Sequence, residues 1–543
     1  MKYTTFTNVH LGGITMEFKK YVSCNTHDLN LAIREGMRPM QTFFDTTKDN
    51  LPFFGNEMAP KCHNFHNPTF SAGHIPGRWL CALLHAEEVT GIPADPQAVE
   101  NLKRWAFASL EEHPIGFPSC MNFEKMEFID ATDLHNLREI MHALFALVNW
   151  RQDDHARELA LGVIRALNRY FDFDNAKFDE EKYTRETGAK AMYSCCAPSE
   201  GLLFPIHFGR YIGPLVKFWR ASGEPEALEQ AIRLKDTCFR HILLESGDYD
   251  AVRFGGHTHS TTAMISSLAQ LGDVTNDPAI FERIDAFFKN GLRKIALPFG
   301  WCIEGNHRHD IVGEINNTSD IMETCIIMGK HGYSGYYAQA EQILRAHFLP
   351  AQLLDPCFIP EDEESSHVDT YRMASRSVGA FGFPTPYGHE DHPGAWISFN
   401  WDIVGGGVNG LCEAYKACVS AENGVITIPL HFAADRDTHT VSDPYQNNGI
   451  MTVTPKADNL RLKIRIPERA TVRSVSVPHT AEGEWLYPAP VKSDESIKIA
   501  FDFETIDITK DFRGNRITYR WHGEEVIGAN NGDRRLCFFP TIV

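Results

Sequence analysis

A repeated pair of helices is the feature that most constrains the fold of this chain. Between about residues 27 and 420, an apolar-periodic segment, a short turn and a second periodic segment recur six times, the pattern of a repeat architecture. The first members of the pairs are predicted at 75–91, 133–151, 207–222, 259–271, 318–332 and 404–420. Their partners are predicted at 27–47, 95–112, 154–172, 224–244, 277–293 and 335–353.

The two members of a pair differ in polarity. First members such as 133–151 are apolar on most sides, while partners such as 224–244 alternate charged residues with one apolar stripe, as surface helices do. We therefore expect an inner and an outer ring of helices that close into an (α/α)6 barrel over residues 25–420. An open solenoid of hairpins has the same periodicity and stays an alternative.

From about residue 421 the hydrophobic period changes to two. Runs such as GVITIPLHF, LRLKIRIPE and SIKIAFDF are separated by turn residues, which is typical of β-strands. We predict a β-sandwich over residues 421–543, packed on the barrel. Residues 1–24 also alternate and are expected to add a strand to this domain. The predicted fold class is mainly α with a C-terminal β domain.

Composition and charge disfavour several kinds of partner. The 543 residues are 43% hydrophobic and 23% charged, enough for at least two globular domains. The net charge of −19 disfavours nucleic acid and anionic membranes. We find no signal-peptide pattern, no apolar run that could span a bilayer, and 13 cysteines without regular spacing, so we expect a cytoplasmic protein with reduced thiols.

Chemistry is expected on one face of the barrel. Connections within a pair are short and those between pairs are long, and long loops on a rigid scaffold commonly carry function. The densest stretch, 301–325, contains Glu304, His307, His309, Glu314 and Glu323. Paired carboxyls suit glycoside cleavage, in which one donates a proton and another acts as nucleophile or base. A solvated acidic loop that caps the next helix at Thr318 or Asp320 is the alternative.

Two further segments offer a sugar both polar groups and aromatic rings. Their candidates are His257 and His259 in GGHTHS, and His392, Trp396, Trp401 and Asp402 within 386–410. Imidazoles can orient sugar hydroxyls, and sugar faces stack on tryptophan. We therefore predict that both segments contact a carbohydrate substrate.

The order of the motifs resembles the β-L-arabinofuranosidase family, glycoside hydrolase family 127. The matching motifs are HIPGRWLCALLHAEEVTG, GGHTHS, METC, YYAQAEQILRAHFLPAQL, GGGVNGLCEAYKA, LRLKIRIPE and YRWHGEEVIGANN, which follow one another over about residues 70–530. The resemblance implies the barrel and sandwich, glycosidase activity on a carbohydrate, and a homodimer formed through the β domain.

The resemblance also implies site residues. In the family, a Glu-x-Cys pair and a later Cys-Cys motif hold zinc, and one of those cysteines is the nucleophile. Glu323 and Cys325 match the first pair, and Glu314 matches the general acid/base. Trp401 and Asp402 stand where the Cys-Cys motif is expected, so a zinc site would be incomplete. Asp402 offers a carboxylate that can act as nucleophile or base opposite Glu314.

The sequence therefore predicts a glycoside hydrolase that uses carboxylate chemistry and needs no cofactor, with zinc at Glu323 and Cys325 as the metal alternative. Two other functions stay open. A uronide lyase would draw its base and its carboxylate-neutralising groups from His257, His259, Tyr387 and Arg308. A non-catalytic glycan-binding protein would have kept the barrel after losing the cysteine nucleophile.

Overall fold

Six pairs of helices dominate the described part of residues 29–417. The computed structural model describes residues 6–11, 14–19, 21–22, 26–58, 62–194, 203–305, 312–359, 361, 367, 369–389, 399–422, 424–458, 460–530 and 536–542. The paired helices are α1 Leu29–Thr42, α2 His74–Thr90, α3 Pro96–Glu111, α4 Leu137–Arg151, α5 Asp154–Tyr170, α6 Ile212–Ser222, α7 Pro225–His241, α8 Thr258–Thr275, α9 Pro278–Asn290, α10 Ile315–Lys330, α11 Tyr336–Ile343 and α12 Trp401–Ala417. The predicted helix-rich region is confirmed.

The first members of the pairs contact one another in a closed order. Helix α2 packs on α4, α4 on α6, α6 on α8, α8 on α10, α10 on α12, and α12 on α2. In α8 every residue from Thr258 to Gly272 is buried. The outer helix α5 instead buries a single stripe, which consists of Ala156, Ala160, Val163, Ile164, Leu167 and Tyr170. The spacing of this stripe matches the helical period, so α5 covers the inner helices with one face.

Helix α10 begins earlier than the sequence predicts. Its N-cap residue is Glu314 and its first residue is Ile315. The sequence instead suggests Thr318 or Asp320 as the possible N-cap of this helix. Both of those side chains therefore lie within the helix, where they are buried. The early start moves Asp320 from a helix end into the interior between helices.

Close packing between α2 and α4 depends on Gly77. A Cβ atom at this position would lie 2.1 Å from the Glu139 carbonyl oxygen, and backbone cannot move away as a flexible side chain can. We expect Gly77→Ala to lower the free energy of unfolding by about 1–3 kcal/mol, measured by urea denaturation.

Gly162→Ala in α5 is the matched control, because a Cβ at this outer position meets nothing within 4 Å. This variant is expected to raise the free energy of unfolding by up to about 1 kcal/mol. Equal effects of the two substitutions would contradict the close approach of α2 and α4.

Strands follow the helices from Ser420 onwards, as predicted. One sheet has the strand order Ser420–Glu422, Val425–Ile428, Arg461–Arg465, Trp485–Pro488 and His479–Glu482. A second has the order Ala434–Arg436, His439–Val441, Ile450–Pro455, Ile497–Phe503 and Ala470–Val475. The two sheets contribute to one buried apolar cluster that includes Ile426, Ile464, Val453 and Ile499. An antiparallel sheet of Thr505–Phe512, Asn515–His522 and Glu525–Ala529 packs its apolar side chains against the helical core.

Of the first three strands, two pair with each other and the third pairs with a strand far along the chain. Phe6–Leu11 and Ile14–Lys19 pair antiparallel, and Tyr21–Val22 pairs in parallel with Leu536–Cys537 near the other end of the chain. Short strands also occur between the helices, at Phe44–Asp45, Leu51–Pro52, Gly55–Glu57, His63–Phe65, Ser119–Asn122, Glu127–Asp133, Phe171–Asp172, Lys177–Phe178 and Lys190–Met192. Short helices lie at Glu180–Thr187, Phe204–His207, Ala251–Phe254 and Met373–Arg376. No helix in the described ranges is long and apolar enough to cross a membrane.

Candidate active site

The candidate site lies where several inner helices begin. The long connections lead into α2 at His74, α8 at Thr258, α10 at Ile315 and α12 at Trp401. Side chains at these N-termini, or one turn inside them, are joined by short contacts, as set out below. Helix N-termini carry partial positive charge, and this charge favours carboxylates at these positions.

Asp402 is held by two cationic or polar partners. It lies in the first turn of α12, where its backbone N–H donates to Asn400 Oδ1 over 3.2 Å. Its Oδ1 lies 3.0 Å from His74 Nε2 and 3.0 Å from Arg78 Nε. Burial favours the neutral acid, but Arg78 and His74 outweigh it and hold the pKa of Asp402 far below its usual range. Asp402 is therefore a carboxylate.

Glu314 has the opposite electrostatic environment. Its Oε1 accepts a hydrogen bond from Asn316 Nδ2 over 2.7 Å and lies 3.3 Å from His259 Nδ1. Burial raises the pKa of Glu314 to about 8. The positive charge of Arg78 lowers this pKa, but the negative charges of other carboxylates, including Asp402, oppose that effect. Glu314 is therefore protonated at neutral pH and can donate a proton.

Glu139 organises the arginines of the site. This carboxylate in the first turn of α4 is fully buried, and it lies 3.0 Å from Arg78 Nη2 and 3.1 Å from Arg138 Nη1. It also pairs with Arg210, which is itself fully buried. Charge-assisted bonds of this kind fix both partners in place. Glu139 thus sets the position from which Arg78 reaches Asp402.

A second carboxyl with a raised pKa lies one turn deeper in α10. Asp320 Oδ2 accepts a hydrogen bond from Thr262 over 3.0 Å and lies 3.5 Å from His259 Nε2. Burial raises the pKa of Asp320 to about 7, against the lowering effect of Arg138. His259 therefore contacts Glu314 through one ring nitrogen and faces Asp320 with the other.

Histidines are concentrated in the site. Among the described residues, the group consists of His74, His135, His207, His257 and His259. Burial is the largest influence on all five and lowers the pKa of each below 6.5. These imidazoles are neutral at pH 7 and can both donate and accept hydrogen bonds.

A polar cavity of about 40 Å³ lies deeper between the inner helices. Its lining includes Arg78, His259 and Asp320 from the site, and Lys217 from α6. The Lys217 Nζ lies 3.6 Å from a Glu323 carboxylate oxygen. The size and polarity of the cavity suit a few bound water molecules, which would place water beside Asp320.

The fold has known counterparts among solved structures. A GH127 β-L-arabinofuranosidase from Geobacillus stearothermophilus T6 aligns over 92% of this chain and 80% of its own, with a TM-score of 0.53 and 12% identity. A second GH127 β-arabinofuranosidase aligns over 93% and 81%, with the same TM-score and identity. A glycoside hydrolase aligns over 90% and 85%, with a TM-score of 0.51 and 13% identity. The chain has the fold of these hydrolases.

The sequence alone gives no such match. No protein-family model matches the chain, and no curated protein matches it by sequence. The likeness to the GH127 enzymes is thus a distant one of fold.

The structure brings several of the predicted site residues together. Asp402, Glu314, His257 and His259 all belong to the group of contacts described above. Glu304 lies beside them, since its charge raises the pKa of Glu314 and its backbone carbonyl accepts a hydrogen bond from Thr258 Oγ1 over 2.7 Å. Four predicted residues, His307, His309, His392 and Trp396, lie outside the described residues.

The zinc site suggested by the resemblance does not fit these residues. Glu323 faces the deeper cavity, where its Oε2 accepts hydrogen bonds from Ser266 over 2.7 Å and Gln270 over 3.2 Å. Cys325 is fully buried in the core, and burial raises the pKa of its thiol well above the usual value. Within the described ranges, no group of three donors that could reach one ion includes Cys325.

Two other groups of possible metal donors already have partners among the described residues. In the first group, His257, His259 and Glu314 each offer one atom that could bind a metal, and these three atoms lie within 4.8 Å of one another. We assign them to hydrogen bonding, because His257 Nδ1 contacts Ser260 Oγ over 2.7 Å and the other two contact each other. The second group, Glu341, His431 and Glu524, surrounds the Arg465 guanidinium.

Trp401 does not have the position that a substrate-binding role requires. Its side chain is fully buried, and its ring stacks on Phe43 at a centroid distance of 3.9 Å. The indole N–H donates to Asn64 Oδ1 over 2.8 Å. Trp401 thus belongs to the core that supports the start of α12, and the expectation that it contacts the sugar is corrected.

Sequence reasoning missed Arg78 and Glu139, which lie inside inner helices, and His135 and Arg210, which lie just before them. It placed His74 in a loop and Asp320 in a loop or at a helix cap, whereas both lie within helices. A usable signal was present, since Arg78 interrupts the apolar run HIPGRWLCALL. A charge within a helix that is buried on all sides must face a partner or a cavity.

Proposed function

We propose that the protein is a glycoside hydrolase built on an (α/α)6 barrel, with Glu314 as general acid and Asp402 as nucleophile or base. The main support is that the pKa of buried Glu314 is raised, whereas the pKa of buried Asp402 nearby is lowered. Glycosidases need one protonated and one ionised carboxyl at the same pH. The closed order of helix contacts, the C-terminal strands from residue 421 and the likeness in fold support the proposal.

The proposed reaction uses the two carboxyls on opposite sides of the scissile bond. The Glu314 O–H transfers its proton to the leaving glycosidic oxygen as the bond from that oxygen to the anomeric carbon breaks. The Asp402 carboxylate either bonds to the anomeric carbon or removes a proton from the attacking water. The close approaches of His74 and Arg78 to Asp402 are both to Oδ1, so we assign Oδ2 to the sugar.

Product masses test the proposed reaction. Purified protein is incubated with a panel of oligosaccharides that includes β-L-arabinofuranosides and uronides, and the products are measured by mass spectrometry. Fragments whose masses sum to substrate plus water support hydrolysis. Fragments that sum to substrate alone indicate a lyase, and sugar binding without fragments indicates a glycan-binding protein; either result rejects the proposal.

Glu314→Gln is expected to lower kcat/KM by about 10²–10⁴-fold for substrates with poor leaving groups, and far less for activated aryl glycosides. The wild-type activity should fall as pH rises through about 8, because Glu314 acts only while protonated and burial sets its pKa there. This basic limb should be absent in the variant. Initial rates on both substrate types between pH 5 and pH 10 measure these effects. A uniform loss across leaving groups would contradict the general-acid role.

A further inference from the structure

Both ring nitrogens of His259 face carboxyl groups of α10 and its cap. Nδ1 lies 3.3 Å from Glu314 Oε1, and Nε2 lies 3.5 Å from Asp320 Oδ2. The ring is only 2% exposed. Its Nε2 has no hydrogen-bond partner among the described residues, and His259 lines the same polar cavity as Asp320. The imidazole thus connects the proposed general acid with a carboxyl that has no role in the reaction as proposed above.

A neutral imidazole carries one N–H, so its two nitrogens cannot both donate. Burial lowers the pKa of His259 well below its usual value, which keeps the ring neutral. If Nε2 carries the hydrogen, it donates to an ionised Asp320, and Nδ1 must accept from a protonated Glu314. If Nδ1 carries it, the direction of both contacts reverses.

The surroundings decide which carboxyl is ionised. Facing Asp320 are Thr262, Arg138, Arg210 and Glu323; facing Glu314 are Asn316, Arg78, Glu304 and Asp402. Asp320 therefore has two nearby guanidiniums and one carboxylate, whereas Glu314 has one guanidinium and two carboxylates. Burial raises the pKa of both carboxyls, to about 7 for Asp320 and about 8 for Glu314. The second guanidinium and the smaller number of carboxylates near Asp320 make it the more readily ionised of the two.

We propose that Asp320 is a positioning residue which, through His259, holds Glu314 in its protonated form. This inference rests on the proposed function, which assigns Glu314 the role of general acid. In the favoured state of the substrate-free protein Asp320 is ionised, His259 carries its proton on Nε2, and the Glu314 O–H donates to Nδ1. A bound glycosidic oxygen then replaces Nδ1 as the acceptor of this O–H. In the alternative state the proton of Glu314 has passed to Nδ1 and that of Nε2 to Asp320, so the number of protons and the charge are unchanged.

The position of the His259 proton tests the proposal without a substrate. Protein containing ¹⁵N-labelled histidine is examined by NMR at pH 7.5, where signals of protonated and unprotonated ring nitrogens are distinct, and His259→Gln identifies the signals of this ring. The wild type should show Nε2–H and a bare Nδ1. Lowering the pH to 6 protonates Asp320 and should move the hydrogen to Nδ1.

Asp320→Asn should give the Nδ1–H tautomer at pH 7.5. The Arg138 guanidinium, which lies 3.8 Å from Asp320 Oδ1, only donates and therefore keeps the amide oxygen on its side. The amide nitrogen then takes the place of Oδ2 and donates to Nε2. The Thr262 hydroxyl, which donates to Oδ2 in the wild type, keeps Asn317 Oδ1 at 2.8 Å as its acceptor. Asp273→Asn is the control, because Asp273 contacts a different histidine, His331, over 2.9 Å, and it should leave the His259 signals unchanged.

Two results would overturn the inference. These are an Nδ1–H tautomer in the wild type at pH 7.5, and a tautomer that changes with neither pH nor Asp320→Asn. If Asp320→Asn does not fold, the wild-type spectra at the two pH values still decide. If the NMR result contradicts the role of Asp320, the general-acid role of Glu314 is still tested by the kinetics of Glu314→Gln. The two proposals can therefore fail separately.

Discussion

Replacement of Asp402 by Asn is expected to lower kcat by on the order of a thousandfold on any substrate that the product assay identifies. The amide has the shape of the carboxylate but neither its charge nor its nucleophilicity. Arg78 and His74 keep the wild-type group ionised at every pH at which the enzyme would work. Activated aryl glycosides need little help from an acid but still need the Asp402 carboxylate. Asp402→Asn should therefore lose activity on them as well, whereas Glu314→Gln should largely keep it.

Asp273→Asn is the matched control for this experiment. Asp273 is also held by cationic partners, Arg220 at 2.6 Å and Lys330 at 2.9 Å, and burial is likewise outweighed so that its pKa falls to about 2. It lies near the C-terminal end of α8, away from the helix starts that form the site. Its removal should leave kcat unchanged. Wild-type turnover by Asp402→Asn, in a protein whose circular dichroism is unaltered, would exclude Asp402 from the reaction.

The sequence predicts the arrangement of helices well because burial determines both its periodicity and its polarity. Inner helices such as α8 are buried nearly all round and have few charged residues, whereas outer ones such as α5 have one apolar stripe between charged residues. The two classes therefore differ in composition as well as position. The change of period near residue 421 has the same origin, since alternate residues of a strand face opposite sides.

The candidate site could be predicted only in part. Glu314 and Asp402 stand immediately before or at the start of helices, and the loops that precede them attract attention through their composition. Glu139 and Arg78 lie inside helices, and only the three-dimensional arrangement shows that they face each other. The misplacement of Trp401 has the same cause, because a tryptophan has similar sequence surroundings in a core and on a binding wall.

Arg465→Met is expected to lower the free energy of unfolding by about 3–5 kcal/mol. The Arg465 guanidinium is fully buried, and it donates to Glu341 of α11 over 2.5 Å and to Glu524 over 2.6 Å. It also donates to the Pro429 carbonyl over 2.6 Å. Methionine retains the apolar stem but leaves two carboxyls buried without the cation that they share. These contacts connect a helix with the strand region, so their loss affects the packing of the two regions as well.

Arg520→Met is the matched control, since Arg520 forms a comparable pair with Asp507 over 2.8 and 2.9 Å. That pair is solvent-exposed, so water replaces the lost interaction and little change in the free energy of unfolding is expected. Urea denaturation of the two variants compares the same substitution in two environments. Equal losses would show that Arg465 contributes no more than a surface pair. A larger loss of unfolding free energy for Arg465→Met shows that the burial of Arg465, and not ion pairing alone, makes the contact between helices and strands depend on this residue.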